Sequence, residues 1–168
     1  NATITVTGGS STTTAIGTGS SQQVAVSLTA DDANTLVFKA MDAAGNVSAL
    51  INQVVVQDST APAAPAVSTP DSPTTAASIV LEVTAEEDST ITITGGAATV
   101  TATATGATQD VVVSLTENAN NVLAVTATDA ADNVSSTVTR TVARTPAVSE
   151  IRGNVVASDL SGATATVM

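Results

Sequence analysis

The sequence predicts an all-β protein built from tandem β-sandwiches, with about seven strands in each complete repeat. Three observations support this prediction. The 168 residues are dominated by Thr, Ala, Val and Ser, and β-branched residues such as Val and Thr favour strands. Apolar and polar residues alternate over short segments that end at turn-forming residues. A long stretch of the sequence also occurs twice, which is typical of repeat proteins.

The repeat is long and has no gaps. Residues 3–48 align with residues 90–135 at a constant offset, and 26 of the 46 aligned positions are identical, which excludes a chance match. A shorter echo relates Pro65-Ala66-Val67-Ser68 to Pro146-Ala147-Val148-Ser149. The second echo indicates that a further unit begins near residue 146.

These boundaries divide the chain into three predicted units. Residues 1–58, the first repeat, lack the first two strands of a sandwich. Residues 59–145, the second repeat, form a complete sandwich. Residues 146–168 are either the first strands of a third repeat or a donor strand for a neighbouring chain.

The second repeat can be divided into strands in order. A Pro-rich entry predicts a short edge strand, because proline cannot donate to a sheet ladder. A turn-rich loop follows it, and the next strand alternates Ile79, Leu81 and Val83 with outward residues such as Glu82. Gly95-Gly96 ends the third strand. The seven predicted strands are 66–68, 78–85, 90–94, 98–104, 110–115, 121–129 and 135–142.

The first repeat begins at its third strand, since nothing in it corresponds to residues 66–88. A sandwich that lacks two strands exposes its core and a strand edge. A segment from another chain could fill this gap, and such head-to-tail pairing would propagate as a filament. The predicted polymerisation residues are Ile4 and Val6 on the acceptor face, with Ala163, Ala165 and Val167 in the donor strand.

A second interpretation of the gap remains open. The chain begins at Asn1 without an initiating Met, so we expect a processed product or a piece of a longer protein. If it is a window of a longer repetitive polypeptide, the completing strands belong to the same polypeptide.

Composition disfavours several functions. The net charge is −11, with four basic residues, so the chain lacks the basic surface that nucleic-acid binding needs. We expect no enzyme, because the chain has no His or Cys to serve as general base or thiol nucleophile. The sequence contains no run of 18 apolar residues, so we expect no membrane insertion. The expected partners are neighbouring copies of the chain, as a filamentous homopolymer.

Two motifs carry a family resemblance. Asp42-Ala43-Ala44-Gly45-Asn46-Val47-Ser48 and the segment of residues 58–65, spelled DSTAPAAP, resemble the signatures of bacterial immunoglobulin-like repeats. These repeats occur in large surface adhesins and biofilm matrix proteins. The resemblance implies immunoglobulin-like sandwiches, an extracellular or cell-surface location, and a hairpin joining the last two strands at the first motif. The sequence departs from the pattern at Asp132, which replaces the motif glycine.

Calcium is the one cofactor that the sequence leaves open. The resemblance implies Ca²⁺ near domain junctions, and the candidate ligands are Asp42, Asp58 and Asp129, because Ca²⁺ prefers carboxylate and carbonyl oxygens. The competing interpretation is that these side chains form turns, where Asp bonds to nearby backbone.

The predicted function is that of a structural repeat in an extracellular fibre or filament. The alternative is an adhesin module that binds a host or matrix ligand directly. Binding hot spots are rich in Trp, Tyr and Arg, and this chain has neither Trp nor Tyr, which favours the structural role.

Overall fold

The computed structural model describes residues 1–146, which form eleven strands and no helix, so the all-β prediction is confirmed. Nothing in this part of the chain is a helix of the length and apolar character that crosses a bilayer. The strands are β1 (Thr3–Thr7), β2 (Thr13–Ile16), β3 (Asp32–Met41), β4 (Ile51–Gln57), β5 (Ala66–Val67), β6 (Ser78–Thr84), β7 (Thr90–Thr94), β8 (Val100–Thr103), β9 (Gln109–Ser114), β10 (Ala119–Thr128) and β11 (Val138–Arg144).

The second repeat contains seven strands in two antiparallel sheets, as expected for an immunoglobulin-like sandwich. One sheet has the order β5-β6-β9 and the other the order β11-β10-β7-β8. The predicted strands are found, with bounds that differ by a few residues. The last strand begins at Val138, later than predicted, because the Ser135 hydroxyl accepts the amide of Ala127 (2.9 Å) and takes the place of a ladder bond.

The core of the second repeat lies between these sheets and is made of aliphatic side chains. Both sheets contribute fully buried residues, since the alternation of each strand turns every second side chain inward. The residues with no exposed surface are Leu81, Val83, Ile91, Ile93, Val113, Leu123, Val125, Ala127 and Val142.

The first repeat has one sheet, ordered β2-β1-β3-β4, which reproduces the order β8-β7-β10-β11 of the second repeat. The register is also repeated: Val6 pairs with Phe38, as Ile93 pairs with Val125. The similar sequences therefore fold into the same four-stranded sheet.

Near the start of β10 and of β3, a buried asparagine side chain binds the backbone of the loop that precedes the strand. Asn121 accepts the amide of Thr116 (2.7 Å) and donates to the carbonyl of the same residue (3.1 Å). Asn34 makes the matching bonds to Thr29 (2.7 and 3.0 Å). Each amide satisfies backbone groups that the turn leaves unpaired, so removing it would leave buried polar groups without partners.

A glycine at the end of β7 allows a close approach of two strands. Gly95 has φ +88°, and a Cβ atom there would overlap the carbonyl oxygen of Val122 in β10. Gly106 also has a positive φ (+74°), but its nearest neighbour would be the Cβ of Glu87, at 3.1 Å. Of these two glycines, only Gly95 combines the left-handed backbone with a backbone obstacle, and its counterpart Gly8 repeats that arrangement against Thr35 in the first repeat.

We expect Gly95→Ala to destabilise the second repeat far more than Gly106→Ala. Both changes add the cost of a left-handed alanine, about 1–2 kcal/mol. At Gly95 the new methyl group must also displace β10, which brings the total above about 4 kcal/mol. Urea unfolding followed by far-ultraviolet circular dichroism measures both values, and equal losses for the two variants would contradict the close approach.

Candidate functional site

The inner face of the first repeat is uncovered. Among residues 1–146, no second sheet lies over β2-β1-β3-β4. Ile91 and Val125 are fully buried in the second repeat, whereas their counterparts Ile4 and Phe38 are only half-buried. Within the described residues, nothing corresponds to the layer that β5 and β6 form in the second repeat, and apolar side chains of the core face are only half-buried there.

Residues 24–28 lie along this face without becoming a paired strand. They correspond to β9, and the Ser10 amide holds them to the sheet by donating to the carbonyl of Ser27 (2.9 Å). Exposure alternates along the segment as in a strand. The inward, half-buried side chains are Val24, Val26 and Leu28. Because β9 owes its strand pairing to β6, the segment without such a neighbour presents an open backbone edge.

The outer edge of β4 is a second open strand edge. In the second repeat, residues 72–74 run beside β11, where the Thr74 amide donates to the carbonyl of Ala143 (2.9 Å). The two segments form a parallel bridge at Thr74 and Arg144. The matching position in β4 is Val56, which is 70% exposed and has no such neighbour in the described chain. A segment that completes the first repeat can therefore pair along two edges.

The sheet of the first repeat also contains an apolar hollow of about 150 Å³. Ile4, Phe38, Ala40 and Ile51 line it with their apolar side chains, together with Ala49 from the loop that precedes β4. Ile51 is 67% exposed, although its counterpart Val138 packs against the core of the second repeat. The hollow is thus a part of the sandwich core that lacks its second half.

The predicted acceptor residues behave differently from each other. Ile4 lines the hollow and is available for contact, whereas Val6 is already fully buried beneath the described residues. The predicted donor residues Ala163, Ala165 and Val167 lie outside the described part of the chain. The assignment of all five as polymerisation residues stays a prediction.

The hairpin carboxylates Asp42 and Asp129 are turn formers. Oδ1 of Asp129 accepts the amides of Ala131 (2.8 Å) and Asn133 (2.9 Å), and its Oδ2 accepts the side-chain amide of Asn133 (2.9 Å). Asp42 makes the corresponding bonds to Ala44 and Asn46 (2.8–2.9 Å). The repeated motif therefore builds a local hydrogen-bonded loop before the last strand of each repeat.

These bonds favour the charged form of each carboxyl group. The Asn133 side chain, followed by the backbone amides of Asn133 and Ala131, lowers the pKa of Asp129 below its usual value against the opposing effect of desolvation. The side chain and amide of Asn46 lower the pKa of Asp42 in the same way. The two loops are thus held most firmly when their carboxyl groups are ionised.

Asp58 lies in the linker, which is held from both sides. Its own side chain accepts the amide of Thr60 (3.0 Å), and its carbonyl accepts the side-chain amide of Asn133 from the second repeat (3.3 Å). From the first repeat, Asp31 accepts the amide and the hydroxyl of Ser59 (2.6 and 2.8 Å). These bonds, made chiefly by Ser59, lower the pKa of Asp31.

The three candidate calcium ligands are not gathered into one cluster. In residues 1–146, no three acidic side chains come together in a way that could hold a metal ion. Asp42 and Asp129 belong to different repeats, and each has both carboxylate oxygens engaged in its own loop. Calcium binding at these residues remains a prediction.

Arg140 is a structural residue that sequence reasoning did not single out. Its guanidinium donates to the carbonyls of Val67 (2.6 Å) and Ser68 (3.1 Å), and so fastens the short β5 region to β11 in the other sheet. The first repeat has Gln53 at this position. The available signal was that Arg140 is one of only four basic residues in an acidic chain.

Comparison with known proteins gives little beyond this geometry. No family model matches the chain, and no curated protein is detectably similar to it. One solved structure with detectable similarity is described as a biofilm associated protein, BSP domain. It is 17% identical, with a TM-score of 0.35, over 85% of this chain and 25% of that one. The chain therefore spans a quarter of that structure, and a likeness at this level supports no functional argument.

We expect Asp129→Asn to weaken the fold at neutral pH and to flatten its response to acid. The folded-state pKa of Asp129 is lowered, so its contribution is present above the ordinary carboxyl pKa of about 3.9 and is lost as the pH falls below it. Asparagine does not titrate there and cannot accept at both oxygens. Urea unfolding from pH 7 to pH 3 measures the two effects.

The matched control is Asp110→Asn, because Asp110 is an exposed carboxylate on β9 of the same repeat. This variant removes the same charge without touching the loop, and we expect stability close to that of the unchanged chain. Equal acid slopes for Asp129→Asn and the unchanged chain would contradict the role given to the loop.

If the calcium prediction holds, millimolar Ca²⁺ raises the Tm of the chain and Asp58→Asn reduces the increase. The physical reason is that a ligand bound only to the folded state stabilises it by mass action. Calorimetry with Ca²⁺ and with Mg²⁺ at equal ionic strength separates binding from charge screening. An unchanged Tm in Ca²⁺ would contradict the calcium prediction.

Proposed function

We propose that this chain is a non-enzymatic extracellular structural protein, the repeat unit of a surface fibre or filament. In the fibre, residues 146–168 of one copy complete the first repeat of the next copy by donor-strand complementation. The observation that carries the proposal is the uncovered apolar face of the first repeat, bordered by the open edges at residues 24–28 and β4.

The second repeat indicates what a completing segment has to supply. There, β6 pairs with β9 from Ser78 to Val83, and Leu81 and Val83 have no exposed surface. Burying one such aliphatic side chain contributes about 1.5–3 kcal/mol. A segment that pairs along residues 24–28 gains the same kinds of interaction, because Val24 and Val26 are identical to the residues they replace in β9.

Residues 146–168 have the features of such a segment. They open with Pro146-Ala147-Val148-Ser149, the same four residues that enter and form β5. They also include a stretch, residues 162–168, in which small or apolar residues alternate with Thr. Acceptor and donor are different surfaces of the chain, so the contact is heterologous and forms an open filament.

The composition fits a mechanical role outside the cell. The chain offers neither His nor Cys for catalysis, and its single aromatic residue gives no stacking surface for a sugar or a base. The charge of −11 keeps the outer surface soluble and repels nucleic acid and anionic lipid.

We expect the chain of residues 1–168 to form filaments in solution, and Val167→Asp to abolish them. A carboxylate at Val167 would have to be buried against the acceptor face without a partner, which is strongly unfavourable. Thr166→Asp is the matched control, because it adds the same charge on the opposite face of the donor strand. Electron microscopy and light scattering measure filament length and mass.

Filaments from the unchanged chain and from Thr166→Asp, with monomers from Val167→Asp, support the proposal. A monomeric unchanged chain at high concentration overturns it. In that case the first repeat is completed by other residues of a longer polypeptide.

A further inference from the structure

The outer face of the first-repeat sheet, which points away from the core, differs in character from its counterpart in the second repeat. The first repeat has two large apolar residues and a lysine on this face, namely Ile16, Met41 and Lys39. Threonines occupy the matching positions of the second repeat, namely Thr103, Thr128 and Thr126. Exposure alternates along β2 and β3, so all three residues of the first repeat point outward.

Strand register gathers these side chains into one patch. Ile16 and Met41 both pair with Thr3 of β1, from opposite sides. Met41 is also bridged to Val47. Ile16 is 59% exposed, Met41 45% and Val47 57%, so this apolar row is open to water. We call Ile16, Met41, Val47 and Lys39 the lysine patch.

Lys39 places a positive charge beside the apolar row. It lies two residues from Met41 on β3, which is about 7 Å along the same face. It is the only lysine of the chain, whose net charge is −11. Within residues 1–146 the one ion pair joins Arg144 to Glu117 (3.8 Å), so Lys39 is not paired there. Such a patch suits a partner with acidic and apolar groups side by side.

The outer face of the sheet β5-β6-β9 in the second repeat carries those groups. Glu82 pairs directly with Asp110, and Val80 pairs directly with Val112. All four side chains are exposed. Like charges opposite each other destabilise a strand pair, so a cation that approaches both carboxylates is favourable. A hollow of about 280 Å³ beside Glu82 leaves room for a long side chain. We call these four residues the acidic patch.

The two patches match in spacing as well as in charge. Glu82 and Asp110 lie two residues from the exposed valines, about 7 Å along their strands, which equals the separation of Lys39 from Met41. Two sheets that pack face to face with nearly aligned strands can therefore bring Lys39 to the carboxylates and Met41 to the valines at the same time.

We propose that the lysine patch of one copy binds the acidic patch of a second copy, as a side-by-side contact between chains. Both patches are exposed in the described residues, so neither covers the other within one copy. The contact goes beyond the proposed function, because it uses neither the open inner face of the first repeat nor residues 146–168. Each chain has one patch of each kind, so the contact is heterologous and can continue from copy to copy.

A single contact of this kind is weak and gains strength by repetition. Each patch has only four residues, whereas a standard interface uses about 20–30 residues on each side. In two neighbouring filaments many such contacts would form together, and linked contacts raise the overall affinity without new interactions. The proposed contact would thus join filaments side by side.

Zero-length cross-linking with a carbodiimide tests the contact on the full chain of residues 1–168. The reagent joins an amine to a carboxylate that touches it, and Lys39 supplies the only side-chain amine. A mixture of isotope-labelled and unlabelled chains distinguishes links between copies from links within one copy. We expect mass spectrometry to find Lys39 of one copy joined to Glu82 or Asp110 of another. Links between copies that spread evenly over other carboxylates, or none at millimolar chain concentration, overturn the proposal.

The apolar part of the contact is tested by Ile16→Thr with Met41→Thr, which restores the residues of the second repeat. We expect the yield of the Lys39 link to fall about tenfold, because the apolar contact is lost while the charges stay. Val122→Thr is the matched control, since Val122 is 54% exposed on the outer face of β10, away from both patches. Equal yields for the two variants would show that the apolar row takes no part.

Charge exchange tests the pairing of the two patches. Lys39→Glu in one sample, and Glu82→Arg with Asp110→Arg in another, should each abolish side-by-side association, and a mixture of the two samples should restore it. Glu86→Arg with Glu87→Arg makes the same charge change in the loop after β6 and should not abolish it. Electron microscopy measures filament width, and sedimentation velocity measures association if the chains do not polymerise. No recovery in the mixture overturns the side-by-side contact and leaves the proposed function standing, whereas recovery without filaments supports the contact and contradicts the proposed function.

Discussion

The structure depends on the packing of two apolar sheet faces against each other. With no disulfide and a single aromatic residue, the core consists of Val, Ile, Leu and Ala, each of which contributes a small buried area. Such side chains stabilise a fold only when both layers are present, because a single sheet leaves them half in water. The second repeat meets this condition, and the described part of the first repeat does not.

The two repeats form an internal comparison of sequence with environment. Residues 24–28 and residues 111–115 share four of five side chains, namely Val, Val, Ser and Leu at matching positions. In the second repeat most of this stretch is β9, and Val111, Val113 and Leu115 are buried. In the first repeat the same pattern is extended but unpaired. Strand identity here is decided by the neighbouring strand more than by local propensity.

Much of the fold was predictable from the sequence, since alternation and self-similarity are strong signals. The strands of the second repeat and its two layers follow from these signals alone. Contacts between residues distant in the sequence did not follow. Arg140 reaches the carbonyls of β5 across more than 70 positions, a contact that no local pattern in the sequence indicates. The hairpin aspartates were ambiguous because a turn and a metal site use the same side chain.

The linker between the repeats has a consequence for bending. Ser59 is tied to Asp31 on one side, and the carbonyl of Asp58 is tied to Asn133 on the other. Pro62 and Pro65, both buried, restrict the backbone that follows. A rotation of one repeat against the other at this linker would break these hydrogen bonds and expose the two buried prolines. A series of repeats joined by such linkers would bend little, so the distance between its two ends would stay nearly constant.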